Sequence, residues 1–154
     1  LASRTSTRRA LFSRILVALD GSEFSVKALE FAVDIAKKYQ SQLVLVHVVM
    51  RQIYAINPPE AGIIAGTAIV RELEAEGKAI LAKGEETVRA QGLPVEVRLR
   101  QGVPAEELLR AAVDEKADLI VLGSRGLSQV RAFLLGSVSD KVSHHAKCPT
   151  LIVR

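Results

Sequence analysis

Three stretches of this chain are apolar almost without interruption: Ile15-Leu-Val-Ala-Leu19, Leu43-Val-Leu-Val-His-Val-Val49 and Leu119-Ile-Val-Leu122. A strand with one wet face alternates apolar and polar residues, whereas a strand that is apolar throughout is covered on both faces. Between the first two runs, Ala28, Leu29, Ala32, Val33 and Ala36 recur at the steps of an amphipathic helix, with Lys27, Glu30, Asp34, Lys37 and Lys38 on the opposite side. Strand, helix of about 18 residues, strand is a βαβ unit, and its crossover is right-handed.

The rest of the chain extends this pattern. Ser22 is a candidate N-cap for the first helix. Residues 50–65 carry a proline pair and no period, and are expected to form a loop. A long helix is expected from Thr67 to Ala90, with Ile69, Leu73, Gly77, Ile80, Leu81, Gly84 and Val88 inward and its two glycines explained by close packing on the sheet. Val95 to Arg100 alternates apolar and charged residues, the mark of an edge strand. Pro104 opens a third helix, Leu119 to Leu122 is a fourth strand, a helix follows over Val138–Val142, and a fifth strand runs through Cys148–Arg154. The fold class is therefore α/β, a doubly wound five-stranded parallel sheet with helices on both faces. The first three strands build outward on one side, so the fourth returns to the other side of the first, giving the order 3-2-1-4-5. Such sheets bind ligands where the strand order reverses, beyond the carboxyl ends of the strands. That crevice brings together Asp20 and the segment beginning at Gly123.

Composition narrows the function. The chain has 154 residues, 49% of them hydrophobic, and a net charge of +4. Four of its 21 basic residues, Arg4, Arg8, Arg9 and Arg14, lie in the first 14 positions, which hold no acid; the remaining 17 face 17 acids. Residues 1–13 read as a flexible basic arm on a domain spanning 14–154 that is neutral by count from residue 15 onward, which argues against a nucleic-acid binding face. No apolar run approaches the roughly 20 residues of a membrane span. The single cysteine, Cys148, fits a reducing, cytoplasmic setting.

The segment after the fourth strand spaces its glycines as G-x2-G-x9-G-S: Gly123, Gly126, Gly136, Ser137. This is neither the P-loop nor the dinucleotide fingerprint. Glycines nevertheless let backbone approach an anion, and a helix N-terminus offers unpaired N–H groups. Arg125 and Arg131 can add charge to a phosphate or simply face solvent. Asp20 can cap the following helix, accept hydrogen bonds from a ribose or adenine edge, or do both. His47 reads as a hydrogen-bonded core histidine. His144 and Cys148 are four apart, but Pro149 breaks the helical spacing a metal pair would need. There is no G-x-S-x-G elbow, no GK[ST] triplet and no evident general base, so no catalytic residue is assigned.

Asp20-Gly-Ser, His47-Val48, Gly102-x-Pro104, the long-spaced glycines and the Cys-Pro before the last strand together resemble the universal stress protein family, from about Arg14 to Arg154. The resemblance implies membership of the ATP-binding branch. Carried over by position, Ala18 and Leu19 would line the adenine side, Asp20 would contact the nucleoside, and Val48 would present backbone to the adenine ring. Gly123, Ser124, Arg125, Gly126, Gly136, Ser137 and Val138 would surround ribose and phosphates. The resemblance further implies ATP, or AMP or ADP, with Mg or Mn on the phosphates, and a homodimer joined through Thr150 to Val153. The position of Ala18 is proline in some relatives. The expected function is a nucleotide-dependent regulatory or stress-response module. The alternatives are a slow ATPase or phosphotransferase using the same site, and a nucleotide-free dimeric scaffold.

Overall fold

The computed structural model describes residues 10–50, 59–127 and 134–154, with backbone alone for 59–65. Its elements run β1 (Arg14–Ala18), α1 (Glu23–Tyr39), β2 (Gln42–Val49), α2 (Pro59–Ala90), β3 (Val95–Gln101), α3 (Pro104–Asp114), β4 (Leu119–Gly123), α4 (Ser137–His145) and β5 (Thr150–Val153). The strands form one parallel sheet in the order β3-β2-β1-β4-β5, as the apolar runs and crossover rule require. None of the described helices is long and apolar enough to cross a membrane.

Alternation along each strand divides the interior into two layers. Ile15, Val17 and Leu19, with Leu43 and Leu45, Leu119 and Val121, pack beneath α1 and α2. Leu16, Val44, Val46, Ile120 and Leu122 face Ala105, Leu108, Ala111 and Ala112 of α3 and Val142 of α4. The edge strand β3 is half-buried along nearly its whole length, which is why its sequence alternates.

Gly77 and Gly84 of α2 are packing devices. A Cβ at Gly77 would stand 2.6 Å from His47 Cδ2 and 2.8 Å from Leu99 Cδ1; one at Gly84 would stand 2.6 Å from Leu19 Cδ1. Any side chain there would lift the helix off the sheet. The helix itself begins eight residues before the expected Thr67. Pro59, assigned to the loop over residues 50–65, is its first residue; proline lacks an N–H and has φ preset, so it opens a helix as readily as it ends one. The loop residues 51–58 lie outside the described residues.

Residues 1–9 of the expected arm also lie outside the described residues. Within that arm, Phe12 and Ser13 are docked on the body. The Phe12 ring meets Tyr39 edge-on at 5.3 Å, and Ser13 N–H donates to Asp118 Oδ2 at 2.8 Å. At the same end of the sheet, charged groups join three strands. Arg14 donates to Gln42 at 2.6 Å and to Glu115 at 2.5 Å, and Arg98 donates to Glu115 at 2.5 Å and also to Glu96. Burial alone would raise the Glu115 pKa. The hydrogen bonds and charges of Arg14 and Arg98 outweigh it and hold the carboxyl below its ordinary range.

Candidate functional site

β1 and β4 are neighbours in the sheet, with Leu16 beside Ile120, yet the chain leaves them toward opposite faces. In doubly wound sheets such a divergence marks the ligand crevice, which here falls past Ala18 and Gly123. On the β1 side, Gly21 takes φ +85°, a left-handed turn that glycine adopts without strain. Asp20 Oδ1 accepts from Ser22 N–H at 2.9 Å, and Ser22 Oγ in turn accepts from Ser25 N–H at 3.2 Å as the N-cap of α1. Ser22 is thus the cap, as its position implied, and Asp20 braces it through one oxygen. The other oxygen, Oδ2, lies 2.8 Å from where a Cβ on Gly126 would stand. The turn after β1 and the loop after β4 therefore meet, and a side chain at 126 would have to displace the Asp20 carboxylate.

The strand ends sort the remaining candidates by face. Ala18 and Val48 are half-buried on the α3/α4 side, at the crevice. Leu19 turns the other way: its side chain is 5% exposed in the α1/α2 layer against Gly84. Its backbone is also engaged. Leu19 N–H donates to Val46 O at 2.9 Å, and its carbonyl lies 2.7 Å from His47 Nδ1, which must donate because a carbonyl only accepts. His47 is the hydrogen-bonded core histidine expected, and it fixes the peptide that precedes Asp20.

On the β4 side, Gly123 is closed against α1. A Cβ there would stand 2.6 Å from Phe24 Cβ and 2.8 Å from the Phe24 carbonyl carbon. Arg125 lies with its guanidinium carbon 5.7 Å from the centre of the Phe24 ring, a cation–π distance. Ser124 is buried, donating its N–H to Val153 O at 2.7 Å and accepting Gly136 N–H at 2.7 Å. Gly136 is the N-cap of α4, and its missing side chain leaves that terminus without a side-chain cap. A Cβ on it would be 3.2 Å from Ser124 O and 3.3 Å from Arg125 Cα. Ser137 and Val138 follow as the first helical residues, whose N–H groups have no partner within the helix. Residues 128–133, including Arg131, lie outside the described residues. Phe24 and Ser139 had no part in the sequence reading, yet the first shapes the wall behind Gly123 and the second bonds Ser124.

A cavity of about 270 Å³ lies elsewhere, between the carboxyl ends of α3 and α4, lined by Leu109, Ala112, Val113, Lys116 and Cys148 among others. It is at the opposite end of the sheet from Asp20 and Gly126. Burial, and then the charge of Asp118, push the Cys148 thiol pKa up. His144 Nδ1 bonds its own helix at Asp140 O, 2.8 Å away. Among the described residues no group of three or more His, Cys, Asp or Glu gathers to hold a metal.

Comparison with known proteins matches this geometry to one family. The model of the universal stress protein family covers residues 11–154. Universal stress protein YxiE of Bacillus subtilis is 40% identical over 149 residues, covering 94% of this chain and 100% of that protein. Universal stress protein UspA from Lactobacillus plantarum superposes with a TM-score of 0.84 at 25% identity, over 93% of this chain and 98% of that one. A universal stress protein solved in complex with cAMP superposes with a TM-score of 0.64 at 30% identity, over 93% of this chain and 97% of that one.

Proposed function

The chain belongs to the universal stress protein family, and from that premise we propose that it binds an adenine nucleotide in the crevice between β1 and β4 and works as a nucleotide-dependent regulatory module of the stress response. ATP is the ligand we favour, with AMP and ADP as alternative occupants. The observation that carries the reading is the meeting of Asp20 and Gly126 beside the uncapped N-terminus of α4. An acceptor oxygen suited to ribose hydroxyls thereby sits next to amides suited to phosphate. The relative solved with cAMP supports an adenine nucleotide over other phosphates.

In this reading Ala18 and Val48 offer a small apolar wall to the base, and the backbone beyond them, fixed through Leu19, offers its edge. Asp20 Oδ2 takes the ribose. The amides of Ser137 and Val138, with the Ser137 hydroxyl, take phosphate, and Ser124, Arg125, Gly126 and Gly136 shape the loop that faces them. Gly123 contributes by letting α1 approach. Mg or Mn would enter on the phosphates and neutralise their charge. A homodimer through the outer edge of β5, Thr150 to Val153, completes the proposal: among the described residues β5 pairs only with β4, and Leu151 and Ile152 are half-buried. The half-buried thiol of Cys148 suits the reducing cytoplasm in which we place the protein.

The test is calorimetric titration of the full chain with ATP and magnesium, alongside release and mass identification of any nucleotide carried through purification. Gly126→Ala is the informative variant, because among the described residues its new methyl meets only the Asp20 carboxylate. Binding is expected to weaken at least about tenfold, since about 1.4 kcal/mol in the crevice is enough for that, with unchanged thermal stability. A wild-type chain that binds no adenine nucleotide would sink the proposal.

A further inference from the structure

We infer that Ser139 is a positioning residue for this crevice: its buried hydroxyl closes the neck at which Ser124 and Gly136 meet. The inference rests on the nucleotide reading above and deepens it.

Ser139 is 2% exposed in the first turn of α4. Its Oγ lies 2.9 Å from Ser124 O and 2.9 Å from Gly136 O. Both partners are carbonyls, so the hydroxyl donates, and its single hydrogen is shared between them. The bond to Gly136 is the ordinary return of a helical serine to its preceding turn. The bond to Ser124 is not local, because it joins residues fifteen apart in the chain. Ser124 O also accepts Gly136 N–H at 2.7 Å, so both of its lone pairs are taken at the neck, while Ser124 N–H is tied to Val153 O at 2.7 Å. One residue, through its N–H and its carbonyl, thus links the end of β5, the exit of β4 and the start of α4.

This arrangement matters for binding because the two halves of the phosphate cradle come from opposite sides of the neck. Gly126, facing Asp20, is on one side, and the amides of Ser137 and Val138 are on the other. The amide of Gly136 holds the neck with one bond, and Ser139, three residues further along, adds a second from within α4. Without the hydroxyl the sheet and helix remain, but the amides are no longer held in register with Asp20. A ligand must then supply that order itself, which lowers affinity.

The experiment pairs Ser139→Thr with Ser139→Val, which place the same bulk at the site and differ in the hydroxyl. ATP with magnesium and adenosine are the probes, titrated calorimetrically, and amide hydrogen exchange at Gly136 is measured without nucleotide. Ser139→Thr is expected to bind ATP as the wild type does. Ser139→Val is expected to bind it about threefold to tenfold more weakly, the range one net hydrogen bond represents. Adenosine, which has no phosphate to engage α4, should change by less than twofold in both, an estimate from the same single bond. The Gly136 amide should exchange faster in Ser139→Val alone. Equal ATP binding by the two variants overturns the inference, as does a parallel loss of ATP and adenosine or an unchanged Gly136 exchange rate. If the wild type binds no nucleotide, the nucleotide reading fails and the positioning role goes with it. The exchange rates then report separately whether the neck is closed by this hydroxyl.

Discussion

Gly123→Ala asks how much of the glycine motif serves packing rather than ligand. The added methyl would stand 2.6 Å from Phe24 Cβ, 2.8 Å from Phe24 C and 3.0 Å from Phe24 O. Comfortable carbon contacts lie near 3.5–4.0 Å, so α1 has to retreat by roughly 1 Å. The opposing atoms are backbone and Cβ, which no rotamer change can move, so the cost belongs in the upper part of the ~1–3 kcal/mol range for overpacking. Replacing glycine returns ~0.4–1 kcal/mol through the unfolded chain. The net loss is then ~1–2.5 kcal/mol, or a fall in Tm of about 2–10 °C for a chain of this length. Gly66→Ala is the control: nothing among the described residues lies within 4 Å of its Cβ position, and it is inside α2. Helix propensity should raise stability there by ~0.8–1 kcal/mol. Thermal and urea unfolding of both variants decide the matter. A Gly123→Ala protein as stable as wild type, or stabilised like Gly66→Ala, would refute the packing argument. It would also return Gly123 to the ligand as its main reason for being glycine.

Two further outcomes follow from other contacts. Ser22→Ala removes the side-chain cap of α1 and should cost ~0.5–2 kcal/mol in urea unfolding, whereas Ser22→Gly should cost only a few tenths; equal losses would mean that capping is not what Ser22 contributes. Glu115 has a folded pKa below its ordinary unfolded value. The stability it contributes is therefore present above that unfolded value and lost as pH falls through the folded one. Glu115→Gln should be destabilised at pH near 7, approach the wild type on acidification, and show a shallower dependence of stability on pH in the acid range; parallel pH profiles would contradict this.

The strand order and both layers could be read from the sequence because apolar runs, helical stripes and right-handed crossovers leave few alternatives. Ser22 as cap, His47 as a bonded core residue and the packing roles of Gly77 and Gly84 were legible for the same reason, since each depends on neighbours whose identity the periodicity already implies. The start of α2 was not, because a proline pair reads equally as a loop or as a first turn. Nor was the direction of Leu19. Carried over as an adenine contact, it sits on the odd face of β1 with Ile15 and Val17, and its side chain enters the core. Phe24 and Ser139 went unnoticed because their partners, Gly123 and Ser124, are distant in sequence. A serine three residues into a helix after glycine carries no local sign that it bonds another segment.

The fit of α2 on the sheet has a consequence for how such chains can diverge. Gly77 is opposed by His47 and Leu99, and Gly84 by Leu19 and Leu45, so bulk on the strand and its absence on the helix form matched sets. Substitution at one member is tolerable only with compensation at the other, because close-packed interiors do not absorb a methyl. Ala18 and Val48, on the other face, belong to no such set. Across relatives, positions 19, 47, 77 and 84 should therefore covary in pairs whatever ligand is bound. Positions 18 and 48 should drift independently of them, following the nucleotide proposed to sit against them, so the pattern of substitution tests that proposal apart from the chain's architecture.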